Sequence, residues 1–192
     1  MHEYPTLKLL LTEKTEHIDY ALNIVDNQSL VTIVSPHGGF IEFFTSKIAN
    51  RLAKDRYNLF DFQGISKEDN RQFHVTSNNF MHPKLKPLLE KSKLCISIHG
   101  CKIGADEDQS IIFIGGKDIE KINELAAILS KNFNVKVPPH RYMGDGDDNF
   151  IHVAKLGIQL EISLPLRKLL VSDDAVMKDF CDAIDMFVED NI

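Results

Sequence analysis

The sequence contains no tryptophan and only three cysteines, Cys95, Cys101 and Cys181, none of them in a CxxC spacing. This scarcity argues against a disulfide framework and against a thiolate zinc site, and it suits a reducing compartment. Long hydrophobic runs are missing too. The N-terminal MHEYPTLKLLLTEKTEH has too few consecutive apolar residues for a signal peptide. No apolar run in the sequence approaches the length needed to span a membrane. We therefore expect a cytoplasmic protein without a membrane partner.

Basic residues are outnumbered: 22 Lys and Arg face 28 Asp and Glu, for a formal charge of −6. A general nucleic-acid binder needs a basic face, so this balance argues against that class. It still permits a local basic pocket for an anionic substrate. The 192 residues are enough for one domain with its own core, and we take 1–192 as that domain. The role of residues 1–29 is open; a helix with an additional edge element is one interpretation.

Hydrophobic runs alternate with helical stretches along the chain. This pattern predicts an α/β fold, with one mixed, mostly parallel sheet flanked by helices. The predicted strands are 30–35, 57–62, 73–77, 94–100, 110–116, 134–137 and 158–163. The predicted helices are at about 43–54, 83–92, 118–132 and 172–190, and the longest predicted loops are 63–72, 101–109 and 138–150. In such folds, ligands collect at loops beyond the carboxyl ends of strands.

Three predicted strands end in, or contain, an ionisable residue that packing does not require. His37 follows LVTIVSP, His99 follows LCISI, and Glu161 lies inside GIQLEISL. Burying such groups without partners is costly, so they are expected to have a common purpose. A second carboxylate, Glu42, lies just beyond the first of these strands, in a loop that opens a helix.

This set of residues is typical of a catalytic zinc site, which has three nitrogen or oxygen ligands and one open position. His37, Glu42 and His99 would be the ligands. Glu161 would take a proton from water and later deliver it to the leaving amine. The two glycines after His37 would let the loop fold back. The alternative is a hydrogen-bonded polar cluster at a sheet edge, because an H-x4-E pair also occurs by chance.

Five ordered blocks carry a family resemblance: SPHGGFIEFFTSKIA, FHVTS, SIHGC, IGG and GIQLEISLPLR, within about residues 30–168. In this order and spacing the chain resembles the phage-type poly-γ-glutamate hydrolases. Those are zinc-dependent amidohydrolases whose α/β fold is similar to the zinc carboxypeptidases. The resemblance implies Zn2+ on His37, Glu42 and His99, with Glu161 as general base and acid.

The resemblance also implies three substrate-binding residues. His74 of FHVTS matches a family histidine near the cleft, and Asn149 matches an asparagine in the loop before QLE. Arg167 matches the arginine that follows QLE, where it would contact a substrate carboxylate or support the site from behind.

The chain departs from the family pattern at two places. Phe44 stands where the family has a glycine, and His152 and Val153 stand where it has an Asn-Arg pair. Because a paired arginine binds carboxylates through two hydrogen bonds, the second departure concerns the substrate more than the metal. Arg141 and Lys155 are near enough in sequence to replace that arginine.

These observations predict a zinc-dependent hydrolase of amide bonds, acting on γ-glutamyl linkages of poly-γ-glutamate. An acidic enzyme that binds a polyanion needs cations at its cleft, and Lys102, Arg141 and Arg167 are the candidates. Two alternatives stay open. One is a zinc amidase for small N-acyl amino acids or cell-wall peptides, and the other is a non-catalytic phage or prophage interaction module on the same scaffold.

Overall fold

The fold is built around one mixed sheet of seven strands in the order β1-β3-β2-β4-β7-β5-β6, in a computed structural model that describes residues 4–67, 69–102 and 108–192. β3, β2, β4 and β7 are parallel to one another, while β1 pairs antiparallel with β3 and β5 pairs antiparallel with β7. The predicted mixed, mostly parallel sheet is therefore confirmed. The strands are β1 (Tyr20–Val25), β2 (Val31–Gly39), β3 (Asn58–Gly64), β4 (Leu94–Cys101), β5 (Ile112–Gly116), β6 (Val135–Lys136) and β7 (Leu156–Ser163).

Helices cover both faces of the sheet. They are α1 (Leu7–Glu13), α2 (Thr45–Ala53), α3 (Lys86–Lys91), α4 (Ile119–Leu129), α5 (Leu164–Ser172) and α6 (Asp174–Asn191). The larger core lies between the sheet and α2, α4, α5 and α6, and an aromatic-rich core lies on the other face with α1 and α3. Within the described parts of the chain, no helix combines the length and the apolar character needed to cross a membrane.

Side chains alternate along β4 and β7, so that apolar residues lie on one face of the sheet and polar residues lie on the other. Ile96 and Ile98 of β4, with Leu160 and Ile162 of β7, are fully buried in the larger core. Successive side chains of a strand point to opposite faces, so the residues between them lie on the other face. The polar residues of both strands, His99 among them, are thus gathered on one face near the carboxyl end of the sheet.

The predicted strand at 73–77 is wrong. Phe73 ends a short 3-10 helix (Asn70–Phe73), and a second one (Ser77–Asn79) follows almost at once. Phe73 and Val75 are fully buried, which produces a strand-like alternation although both pack beneath a loop. Tertiary packing, not sheet pairing, is the source of this pattern.

Two elements of the structure were not predicted as such. β1 is an edge strand in which only Tyr20 is buried, so its alternation is weak; with α1 it gives the N-terminal segment a helix and an edge element. α5 begins directly after β7 and has Pro165 in its first turn. Most of the predicted loop 101–109 lies outside the described residues.

Candidate metal centre and active site

A bulge in β2 places His37 in the site. The pairing of β2 with β3 shifts between Ser35 and Gly38, where β2 has one residue more than its partner. Pro36, which has no N–H for the ladder, lies in this bulge. His37 is 1% exposed, and its Nε2 lies 2.7 Å from the carbonyl oxygen of Val75. Since a carbonyl only accepts, Nε2–H donates to it, and Nδ1 keeps a free lone pair.

The two glycines after His37 let the chain turn against β3. A Cβ on Gly38 would lie 2.2 Å from Ser46 Oγ and 2.3 Å from Asp61 Oδ1, and Gly39 has a φ of +63°. Gly39 N–H donates to Ser46 Oγ at 2.8 Å, and that hydroxyl donates to Asp61 at 2.8 Å. Only residues without a Cβ allow this close approach, as the sequence pattern predicts.

Glu42 is held in the turn by its own backbone. Its N–H donates to His37 O at 2.9 Å, and its carbonyl accepts from Thr45 Oγ1 at 2.8 Å. The carboxylate accepts from Gly100 N–H through Oε2 at 2.6 Å, while Oε1 lies 3.3 Å from His37 Nδ1. Burial opposes ionisation of this carboxyl, but the neighbouring imidazoles, His37 first and then His74, hold its pKa well below the usual range.

His99 completes a cluster that can hold a metal ion. One ligand atom from each of His37, Glu42 and His99 lies within 4.8 Å of the others. His37 Nδ1 and His99 Nε2 are buried, and neither has a hydrogen-bond partner in the described parts of the chain. Burial, and then the neighbouring imidazole of His37, lowers the pKa of His99 to about 3, so its imidazole is neutral at pH 7. Two buried lone pairs beside a carboxylate are costly without a cation, so this donor set fits a metal.

Glu161 lies next to this cluster. It is the direct partner of His99 in the pairing of β7 with β4, so the two side chains share one face. The Glu161 residue is 8% exposed. Burial, and then the charge of Glu42, raise the pKa of this carboxyl well above its usual value, although Arg167 and Arg141 oppose the shift. A carboxyl group with a raised pKa can both accept and return a proton near neutral pH.

A chain of amides holds Glu161 in place. Gln159 Nε2 donates to Glu161 Oε1 at 3.0 Å, and Gln159 Oε1 accepts from Asn149 Nδ2 at 3.2 Å. Asn149 is buried and caps the 3-10 helix Phe150–Val153 through Ile151 N–H. The predicted substrate-binding residue Asn149 therefore lies behind Gln159. Gln159 was missed, although its position two residues before Glu161 on one strand face was a usable signal.

His74 lies at the edge of the cluster. Its ring stacks on that of His37, with centroids 4.0 Å apart, and its Nε2 lies 3.3 Å from Glu42 Oε1. The side chain is 35% exposed, so it faces both Glu42 and solvent. The structure therefore brings His74 next to His37 and Glu42, and its role in substrate binding stays a prediction.

Arg167 ties the start of α5 to the Glu42 turn. It is 6% exposed; Nε donates to Ile162 O at 2.9 Å, and Nη1 donates to Phe43 O. The guanidinium packs on Gly100, where a Cβ would lie 2.5 Å from Cζ. Among the described residues, no ion pair joins Arg167 to Glu161. These hydrogen bonds of Arg167 go to backbone carbonyls, which places it behind the site.

In the loop that departs from the family pattern, neither His152 nor Lys155 takes the place of the missing arginine. His152 Nε2 lies 2.9 Å from Gly144 O, so this histidine is bonded within the loop. Lys155 directly precedes Leu156, which pairs with Leu94 at the amino end of β4, whereas Glu161 pairs near the carboxyl end. Six residues of strand separate Lys155 from Glu161 by roughly 20 Å, so Lys155 cannot replace the missing arginine. Arg141 lies at the same end as Glu161, because it is bonded to Tyr142, whose ring packs on Phe113, the β5 partner of Glu161.

Known proteins resemble this chain in sequence over most of its length. Residues 4–186 match the family model described as poly-gamma-glutamate hydrolase. The SPbeta prophage-derived UPF0714 protein YoqZ of Bacillus subtilis (strain 168) is 29% identical over 95% of this chain and 70% of its own length. The UPF0714 protein YndL of the same organism is 31% identical over 79% of this chain and 60% of its own. The chain thus spans 60 to 70% of the length of these relatives.

Solved structures give the same result for the fold. A bacteriophage poly-gamma-glutamate hydrolase matches with a TM-score of 0.88 and 26% identity over 99% of this chain and 98% of the other. A zinc-free apo form of YndL matches with a TM-score of 0.87 and 25% identity over 98% of both chains. The predicted zinc carboxypeptidase-like fold is confirmed by these matches. With nearly its whole length covered by the family model, the chain belongs to the poly-γ-glutamate hydrolase family, a family of enzymes.

Proposed function

We propose that this protein is a zinc-dependent hydrolase that cleaves γ-glutamyl amide bonds in poly-γ-glutamate. One observation carries the proposal: two buried imidazole nitrogens, His37 Nδ1 and His99 Nε2, converge with Glu42 beside the buried Glu161 and make no hydrogen bond to the described residues. The family and the matched bacteriophage hydrolase support the substrate class, and the zinc-free form of YndL supports the choice of metal.

His37, Glu42 and His99 would hold the zinc ion. Two imidazoles and one carboxylate are a recurring donor set for catalytic zinc, and they leave room for a further ligand. The hydrogen bond from His37 to Val75 O fixes the tautomer that presents Nδ1, and the bond from Gly100 N–H orients Glu42. Zinc bound there would supply Lewis acidity, polarising the scissile carbonyl and easing the deprotonation of water.

Glu161 would move the proton. As a carboxylate it accepts the proton of the attacking water, and as an acid it returns that proton to the leaving amine. Gln159 occupies Oε1 by donating to it, so Oε2 is the oxygen free for proton transfer. The buried charge of Arg167 offsets negative charge that develops on the substrate, while His74 borders the cleft as a donor to a substrate group.

The test combines metal content with turnover. Protein purified without chelators or an affinity-tag metal is analysed by mass spectrometry and assayed on γ-linked and α-linked polyglutamate. We expect about one zinc per chain and cleavage of the γ-linked polymer. Glu161→Gln should keep its zinc and lose at least about a hundredfold in kcat, whereas Glu189→Gln, which removes an exposed carboxylate on α6, should match the wild type.

Two results would contradict the proposal. If well-folded protein contains no metal and does not bind added zinc, the proposed metal site is overturned and the non-catalytic interaction module is favoured. Full activity in Glu161→Gln would overturn the role of Glu161 alone.

A second candidate is a zinc amidase for small N-acyl amino acids or cell-wall peptides. It is favoured by the loop in which His152 and Val153 stand where the family has an Asn-Arg pair, with His152 bonded to Gly144 O. A higher kcat/KM on short N-acyl amino acids than on the γ-linked polymer would select it.

A further inference from the structure

Glu161 has different neighbours on its two sides. On β4 its partner is His99, toward the metal cluster, and on β5 its partner is Phe113. The ring of Tyr142 packs on Phe113 with centroids 5.3 Å apart. The proton-transfer residue therefore stands between the metal cluster and the segment that carries Tyr142.

Tyr142 joins two cationic residues on that second side. Its hydroxyl donates to Lys102 O at 2.7 Å and accepts from Lys102 N–H at 3.2 Å. It also accepts from Nη2 of Arg141, whose guanidinium carbon lies 4.6 Å from the centre of the Tyr142 ring. One donor and two acceptor positions use the full hydrogen-bonding capacity of a phenol. The phenol thus fixes the backbone of Lys102 and the head group of Arg141 together.

The segment that carries these residues is anchored to β5. His140 Nε2 lies 2.9 Å from Ile114 O, and Gly116 N–H donates to Met143 O at 2.8 Å. Arg141 therefore lies between two residues that are bonded to β5, His140 through its ring and Met143 through its carbonyl. This anchoring lowers the entropy that its guanidinium would lose on binding a ligand.

The charges of the cleft require such cations. Glu42 and Glu161 lie inside it, and the chain has a net charge of −6, so an anionic polymer is repelled unless positive charge stands at the entrance. Arg141 and Lys102 are both exposed, and among the described residues neither has an ion-pair partner. A cavity of about 370 Å³ opens beside Lys102, Asp108 and Lys168 at the carboxyl ends of β4 and β7, but neither Arg141 nor Glu161 lines it.

We propose that Arg141 and Lys102, held by Tyr142, bind the α-carboxylate on the leaving-group side of a γ-linked glutamyl bond. The inference rests on the proposed function. The metal cluster occupies the His99 side of Glu161, so the residue that bears the leaving nitrogen would lie on the Phe113 side, toward Tyr142 and Arg141. In a γ-linked polymer the carbon bonded to every amide nitrogen also carries a free carboxylate. In an α-linked chain that carbon carries the next peptide carbonyl, except at the C-terminus. The two cations would therefore distinguish the linkages.

Binding without turnover tests this role. In a Glu161→Gln background loaded with zinc, calorimetry measures the Kd of three oligomers of equal length: γ-linked glutamate, γ-linked glutamate with its α-carboxylates converted to amides, and α-linked glutamate. Arg141→Gln should weaken binding of the first oligomer roughly ten- to a hundredfold and leave the amidated oligomer, already weak, unchanged. Arg141→Lys should fall between the two, because it keeps the charge without the bidentate geometry.

Matched variants separate recognition from general charge. Lys155→Gln removes one positive charge at the opposite end of β7 and should leave all three Kd values within about twofold. Tyr142→Phe keeps the ring but removes the hydroxyl that holds the Arg141 guanidinium and the Lys102 backbone, so it should weaken binding of the γ-linked oligomer several-fold. Thermal unfolding of each variant verifies that it is folded.

The outcomes distinguish this inference from the proposed function. Tight γ-linked binding that is unaffected by Arg141→Gln overturns the carboxylate site and leaves the hydrolase intact. If zinc-loaded Glu161→Gln binds no γ-linked oligomer at all, both proposals are overturned. Equal losses in Arg141→Gln and Lys155→Gln would show only long-range attraction, and would also overturn the inference.

Discussion

His99 and Glu161 stand side by side at the same level of two parallel strands, β4 and β7. Their register is fixed from the opposite face of the sheet, where Ile98 and Leu160 belong to the larger core. Since a slip of one residue would turn every side chain to the other face, core packing also determines that His99 and Glu161 meet.

Zinc should stabilise the folded protein. A ligand that binds only the folded state at a hundred times its Kd adds about 2.7 kcal/mol, which is roughly 5–10 °C in Tm for a chain of this size. His99→Ala removes one ligand and should abolish the zinc-dependent shift, whereas His152→Ala should keep it. Differential scanning calorimetry with and without zinc measures the effect, and an equal shift in both variants would contradict the assigned ligands.

Gln159→Leu should impair turnover without loss of the metal. The leucine is close in volume but cannot donate to Glu161, so the carboxyl loses the hydrogen bond that orients Oε1. We expect kcat to fall about ten- to a hundredfold, with KM and zinc content little changed. Steady-state kinetics and metal analysis on the same sample check this. A change confined to KM would show that Gln159 acts on substrate binding instead.

Phe44 should be strained, because it holds the left-handed conformation for which the family has a glycine. Its φ is +78° at the start of α2. Phe44→Gly and Phe44→Ala lose the same ring, but only glycine relieves the backbone, so the glycine variant should be about 1 kcal/mol more stable. Urea unfolding compares them. At the neighbouring Phe43 the same pair of substitutions should show no advantage for glycine, and equal stability of the two Phe44 variants would refute the strain.

Stability should fall in acid through His82. This histidine is 5% exposed, and its Nδ1 accepts from Lys84 N–H at 3.0 Å. Burial, with the charge of Lys84, lowers its pKa to about 4, although Glu16 opposes the shift. The folded pKa lies below the unfolded value of about 6.5, so below pH 6.5 the unfolded state takes up the proton first.

The expected loss from His82 is complete near pH 4 and amounts to roughly 2–3 kcal/mol. Urea unfolding of wild type and His82→Asn between pH 7.5 and pH 4 measures it, because Asn can still accept from Lys84 N–H but does not titrate. The variant should lose correspondingly less stability over that range. Parallel pH curves for the two proteins would show that His82 does not control it.

Local patterns in the sequence were sufficient to predict the strands that build the site. Apolar runs ending in His37 and His99, and Glu161 inside an alternating run, predict buried strands with polar residues near their ends, and the structure has them there. The pattern at 73–77 misled because Phe73 and Val75 are buried by a loop. An apolar-polar alternation indicates which side chains are buried, and packing beneath a loop can bury them as well as packing in a sheet.

The sequence by itself determined the residue types of the site and, for His99 and Glu161, the face on which each one lies, because side-chain alternation is a local property of the chain. The face of His37 was not determined in this way, since the bulge in β2 interrupts the alternation before it. Distances across the sheet are not local. Gln159 and Asn149 meet through a loop closure, and Arg141 rather than Lys155 reaches Glu161 because the two occupy opposite ends of the sheet. Only the tertiary structure decides such proximities, since the order and register of strands depend on the packing of the whole core.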